Sequence, residues 1–181
     1  MDAPQLIESQ DAWTGPRWRL QAERWATVDG EVLRPVIRHP GAVAVIAEPE
    51  PGRLVLVRQW RYPQRAWTLE VPAGTCDPGE DPAATALREL AEETGWRAER
   101  VEPLCRFMVA PGVSDERMTL FRAIGLRPGA PRPDRGELIR AEVVARADLP
   151  RALGSLPDAK TLVALAVLGW HGGPGAEAPR A

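Results

Sequence analysis

A mixed α/β sandwich is the fold class this sequence predicts, and three observations predict it. Short strand-like segments recur along most of the chain, separated by Gly, Pro and Asp turn signals. Only two segments carry helical signals, and one of them is marked at both ends. Strands and helices do not alternate as a regular βαβ series, so a doubly wound parallel sheet is not expected. At 181 residues, 44% hydrophobic and 27% charged, the chain suits one globular domain with extensions.

Taken in order, residues 1–16 read as a loose lead-in. Trp18–Val28 alternates as a strand, Asp29-Gly30 is a hairpin turn, and Glu31–Arg38 returns as a second strand. The apolar run Ala42–Ala47 suits a central strand. Pro49–Gly52 is a turn, and Arg53–Arg58 completes an expected hairpin. Trp67–Val71 is a further strand, ended by Pro72. Asp81–Thr94 reads as a helix, with Asp81 as N-cap, Pro82 at the first helical position and Gly95 as its stop. Val101–Met108, Met118–Ile124 and Leu138–Ala145 are strands, and the turn-rich segment Arg127–Gly136 between the last two is expected to be mobile. Ala159–Gly169 is a second helix, apolar on most sides and therefore buried. The small-residue tail, 171–181, is expected to be disordered. The domain division expected is thus 1–40 as a strand-pair arm, 41–170 as the main domain, and the tail.

Composition excludes several classes. The longest apolar stretch, Leu162–Trp170, falls far short of the roughly 20 residues that span a bilayer. Met1–Trp13 contains acids and no apolar run, so no secretory leader is expected. Cys76 and Cys105 are the only cysteines, too few for a disulfide framework or a zinc site, and they suit a reducing, cytoplasmic location. A net charge of −2 gives no reason to expect a nucleic-acid partner. The total hides an acidic window, however. Glu70–Glu93 holds seven acids and a single base, Arg88, which points to a bound cation.

On a helix, Glu89, Glu92 and Glu93 fall at i, i+3 and i+4 and share one face. Leu87, Leu90 and Ala91 share the neighbouring face, which is expected to fix the helix to a sheet. Three adjacent like charges cost stability unless a cation sits among them, and Mg²⁺ takes such hard oxygen ligands. An acidic helix face is usually only solvated. Here the surroundings reverse that reading. Gly74, Glu80, Arg88, Glu89, Leu90, Glu92, Glu93, Gly95 and Trp96 fit G-x5-E-x7-R-E-U-x-E-E-x-G-U (U apolar) at every specified position, an agreement with a chance on the order of 10⁻⁹ at average residue usage.

On these residues the chain resembles the Nudix hydrolases. Arg38–Val45, Arg58–Pro63 (RQWRYP), Glu70–Gly74, Ala110–Glu116 (APGVSDE), Pro111 fifteen residues beyond Trp96, and Asp158–Leu162 resemble the ADP-ribose pyrophosphatase branch. The resemblance implies a Nudix-type α/β/α sandwich with a mixed sheet and an extra N-terminal strand pair. It implies Mg²⁺-dependent hydrolysis (Mn²⁺ as the other metal) of a nucleoside diphosphate linked to another group, by water activated beside divalent ions. Glu89, Glu92 and Glu93 are then metal ligands, with the carbonyl of Ala73 beside them and Glu92 also close to the chemistry. Gly74, Glu80 and Arg88 support the box. Glu116 is the implied general base, with Asp115 as its alternative. Arg61 is the expected phosphate contact, and Trp25, Trp60 and Arg38 are candidates for the substrate, the tryptophans by stacking on adenine. The branch also implies a homodimer whose N-terminal strands reach the partner's pocket.

ADP-ribose, cleaved to AMP and ribose 5-phosphate, is the expected substrate. Another nucleoside diphosphate sugar such as GDP-mannose is the nearest alternative, because the box is common to both. A non-catalytic, nucleotide-sensing Nudix domain is less expected, since every box carboxylate is present.

Overall fold

The structure is a computed structural model that describes residues 3–134, 136–154 and 157–170. The expected disorder of 171–181 lies outside the described residues.

The chain begins not with a loose lead-in but with a strand. β1 (Gln5–Thr14), β2 (Arg19–Thr27) and β3 (Gly30–Arg38) form an antiparallel sheet in that order. Every residue of β1 is exposed, so no buried face imposes the alternation by which a strand is recognised. The β2–β3 turn is as expected: Thr27 pairs with Gly30, whose φ of 112° is costless only for glycine.

Two further sheets form the body. β4 (Ala42–Ile46), β7 (Ala73–Thr75), β8 (Arg100–Met108) and β9 (Arg117–Ile124) order as β7-β4-β9-β8, with β4 and β9 parallel and the other pairs antiparallel. β5 (Arg53–Arg61), β6 (Ala66–Glu70) and β10 (Ile139–Ala145) order as β10-β5-β6. The expected β4–β5 hairpin is therefore not formed. The Pro49–Gly52 turn carries the chain from one sheet to the other, and Val55 N–H still reaches Ala47 O at 2.9 Å.

β4 is buried along its whole length because both its faces are covered. Ala42, Ala44 and Ile46 pack with Leu56, Leu120 and, from the helices α2 (Leu149–Leu153) and α3 (Ala159–Val167), Leu149 and Leu165. Val43 and Val45 point the other way, to Phe121 and to Ala86 and Leu90 of α1 (Pro82–Thr94). Helices on both sides of the strands give the α/β/α sandwich. Among the described residues no helix is long and apolar enough to cross a membrane.

α1 is capped as its sequence dictates. The Asp81 side chain accepts from Ala83 N–H at 3.1 Å, and Gly95 ends the helix at φ 76° with its N–H on Ala91 O. Its buried face is rotated from the expected one: Thr85, Ala86, Glu89, Leu90 and Glu93 face inward, whereas Leu87 and Ala91 are only half-buried. Two carboxylates therefore belong to the packed face. The turn-rich segment after β9 is held at several points rather than hanging free. Arg97 and Arg127 exchange two backbone hydrogen bonds, and Arg132 N–H donates to Glu92 O at 2.8 Å.

Candidate active site

A cleft of about 1030 Å³ opens beside β7, at the upper end of the roughly 300–1,000 Å³ of small-molecule sites. Its floor is Ala73, Gly74 and Thr75. Glu116, Arg61, Glu70 and Lys160 lie along it, and Trp18 and Trp67 line its apolar part.

Gly74 shows why the box begins with glycine. A Cβ there would lie 2.0 Å from Cδ and Oε1 of Glu89, so the carboxylate occupies the space a side chain would take. Glu89 is thereby packed onto the cleft floor, and Glu93 reaches the same strand by accepting Ala73 N–H at 3.1 Å. Burial pushes the Glu93 carboxyl up to about 8 against that hydrogen bond, and the charges of Glu89 and Glu137 push it in the same direction as burial. Burial also raises Glu89, with Arg88 opposing.

Arg88 occupies the middle of the acidic cluster. Its guanidinium donates to Glu80 (3.1 and 3.0 Å), Glu89 (2.9 Å) and Glu92 (3.0 Å). Its hydrogen bonds hold Glu80 down at about 2, while Glu80 in turn accepts Asp77 N–H and closes the box loop. As these side chains stand, no group of three His, Cys, Asp or Glu among the described residues converges to hold an ion. Glu89 and Glu92 meet at Arg88, and Glu93 turns to Ala73. The donor set nonetheless fits a hard divalent cation. Two carboxylates, Glu89 and Glu93, are buried and raised chiefly by that burial, and Glu92 stands at their edge. Glu89 and Glu92 would have to release Arg88, at least in part, to join Glu93 around an ion.

Glu70, to which its sequence assigned no role, is the hub of the opposite wall. Only 2% exposed, it accepts from Arg61 (Nε 2.8 Å, Nη2 2.5 Å), Gln59 (3.2 Å), Thr68 (2.5 Å) and Lys160. Burial works to raise its pKa, but Arg61 and Lys160 overcome this and hold it at about 2. Arg61 does reach the cleft, with two of its three guanidinium nitrogens held by Glu70. Lys160, at the start of α3, also bonds Asp158 at 2.9 Å. It is the sole lysine of the chain and lies in the Asp158–Leu162 segment, two signals by which sequence could have singled it out.

Three expected positions fall elsewhere. Trp25 is not in the cleft; it sits on the N-terminal sheet and donates to Glu23 at 3.1 Å. Trp60 packs edge-on against Trp67 at 5.8 Å, and Trp67 is the partner that lines the cleft. Arg38 lies at a smaller neighbouring hollow and is bound to Glu23, Gln21 and Asp115. Asp115 is thus engaged away from the cleft that Glu116 lines. Glu137, which sequence did not single out, is a carboxylate outside α1 whose charge also raises Glu93.

Two buried acids, Glu89 and Glu93, thus lie behind the floor of the cleft, with Arg61 and Lys160 along its wall. The NUDIX domain profile matches residues 38–165, and the chain belongs to that family. It is 42% identical over 121 residues to the methanol dehydrogenase activator of Bacillus methanolicus, covering 66% of this chain and 65% of that one. It is 43% identical over 90 residues to the ADP-ribose pyrophosphatase of Bacillus subtilis, covering 50% and 49%. The chain thus spans about half to two thirds of the length of these relatives. The fold is shared with a solved structure described as an ADP compounds hydrolase, at TM-score 0.76 and 22% identity over 93% of this chain and 94% of that one.

Proposed function

We propose that this chain hydrolyses the pyrophosphate of ADP-ribose, giving AMP and ribose 5-phosphate. One water adds across the bridge: its oxygen enters one phosphate as the bridging P–O bond breaks. The observation that carries this reading is the cleft itself. One space joins a floor backed by Glu89 and Glu93 to Arg61 and Lys160 and to two indole faces, Trp18 and Trp67, which suit the pyrophosphate and the adenine. The likeness to an ADP-ribose pyrophosphatase supports the choice of sugar nucleotide.

Glu89, Glu92 and Glu93, with the Ala73 carbonyl, would hold Mg²⁺, with Mn²⁺ as a substitute. When bound, the ion neutralises phosphate oxygens and activates water. Arg88 stabilises the carboxylates before the ion arrives, and Glu80 fixes Arg88. Arg61 offers Nη1 to a phosphate while Glu70 orients its other nitrogens. Glu116, on the cleft wall, takes the proton from water.

The protein works as a homodimer, a reading supported by the outer sheet, which exposes Leu6, Ile7, Trp13 and Leu33, and its two free cysteines suit a cytoplasmic location. Residues 1–40 form its assembly arm.

The test is kcat/KM with Mg²⁺ on ADP-ribose, GDP-mannose, FAD, NADH and diadenosine polyphosphates. ADP-ribose is expected to lead. A different leader replaces the substrate, and no turnover on any of them overturns this reading. Glu116→Gln tests the base: its loss lowers kcat about 10²–10⁴-fold, and near wild-type turnover means that the base lies elsewhere. Sedimentation at micromolar concentration checks the dimer.

A further inference from the structure

We infer that Arg38 and Asp115 form a latch through which the N-terminal sheet positions Glu116. This rests on the reading above that Glu116 serves in the cleft.

The segment Ala110–Glu116, which connects β8 to β9, is fastened at one place to the end of β3. Ile37 N–H donates to Val113 O at 2.8 Å, and Asp115 N–H donates to Ile37 O at 3.2 Å. The Asp115 carboxylate then takes two further hydrogen bonds, from Arg38 Nη1 at 3.0 Å and from His39 N–H at 2.9 Å. Glu116 follows immediately, its N–H held by Ser114 Oγ at 3.0 Å. Asp115 and Glu116 face different hollows, so fixing one aims the other.

Arg38 is itself held from behind. Its Nε donates to Gln21 Oε1 at 3.0 Å, and its Nη2 donates to Glu23. Glu23 is 1% exposed and also takes the Trp25 indole N–H. A buried carboxylate thus fixes the guanidinium, and the guanidinium fixes the loop. Gln21, Glu23, Trp25 and Arg38 all belong to β2 and β3, so the sheet outside the catalytic body sets the place of a cleft residue. Arg38 and Asp115 are positioning residues in this arrangement and need not touch substrate.

Removing Arg38 strips the buried Glu23 of its partner and endangers folding. Asp115→Asn leaves the Glu23–Arg38 pair whole, keeps an acceptor for His39 N–H and removes only the charge. Wild type, Asp115→Asn, Glu116→Gln and the double variant are assayed on ADP-ribose with a Mg²⁺ titration. Hydrogen exchange of the 110–116 amides is measured on the same proteins. Asp115→Asn is expected to lower kcat/KM about 10- to 100-fold, as for a displaced functional group. The Mg²⁺ midpoint stays unchanged and exchange in the loop quickens. In the Glu116→Gln background the same change adds no further loss. Fully additive losses, a Glu116→Gln variant with wild-type activity, or unaltered loop exchange in Asp115→Asn each overturn the latch. If wild type turns over no substrate, the functional reading fails alone, and the exchange measurement still decides the latch.

Discussion

Replacing Glu70 by Gln tests the ion network on the cleft wall. The substitution keeps the shape and an acceptor oxygen but removes the charge shared by Arg61 and Lys160. Those partners bring the carboxyl from the ordinary 4.5 to about 2, which corresponds to about 3 kcal/mol of stability at neutral pH. For a domain of this size that is roughly 6–12 °C in Tm. The sign follows from linkage. A carboxylate whose folded pKa is depressed contributes fully above its ordinary pKa, and the contribution fades as pH falls towards the folded value. The gap between wild type and Glu70→Gln is therefore about 3 kcal/mol at pH 7, about 1 at pH 3 and nearly nil at pH 2. Urea unfolding of both proteins from pH 7 to pH 2 measures it. A gap that stays constant with pH, or its absence at pH 7, would refute the argument that Arg61 and Lys160 stabilise the ionised form.

Gly74→Ala places a Cβ 2.0 Å from the Glu89 carboxylate, so Glu89 must swing off the floor, and kcat/KM should fall about 10²-fold; wild-type kinetics would show that Glu89 is not needed there. Glu93→Gln should raise the Mg²⁺ required for half-activity while excess metal restores part of the rate, whereas an unchanged metal midpoint removes Glu93 from the ligand set. Gly95→Ala meets both a φ of 76° and the backbone of 129–131, starting 2.6 Å away at Gly129 O, and is expected to cost about 1–3 kcal/mol in denaturant unfolding. A loss no larger than that of an ordinary surface substitution would mean that the 129–131 segment moves aside freely.

Much of this was legible because some signals are local. Asp81, Pro82 and Gly95 marked α1 to the residue, and Asp29-Gly30 marked its hairpin. The box was legible as a pattern, and so was Arg88 as a support of its carboxylates, but nothing in the spacing said that Glu89 fills the gap left by Gly74. The helix face was misjudged for the same reason. Leu87 and Ala91 looked like the buried stripe, yet Glu89 and Glu93 are the residues that pack inward. The cleft walls were the least legible part. Seven tryptophans look alike in sequence, and only the fold separates Trp18 and Trp67 from Trp25. Glu70 and Lys160 are ninety positions apart, and no periodicity links them. β1 escaped notice because a strand exposed throughout has no face to betray it.

The attachment of the 110–116 loop to β3 changes what a truncation can reveal. A cut that removes residues 1–38 takes away Ile37 and Arg38 together with the outer strands, so a fall in activity would mix loss of the proposed assembly with a loosened loop. A cut before Gly15 removes β1 alone and spares every residue that holds Asp115. The two deletions thus separate the loss of β1 from the loss of the residues that hold Asp115.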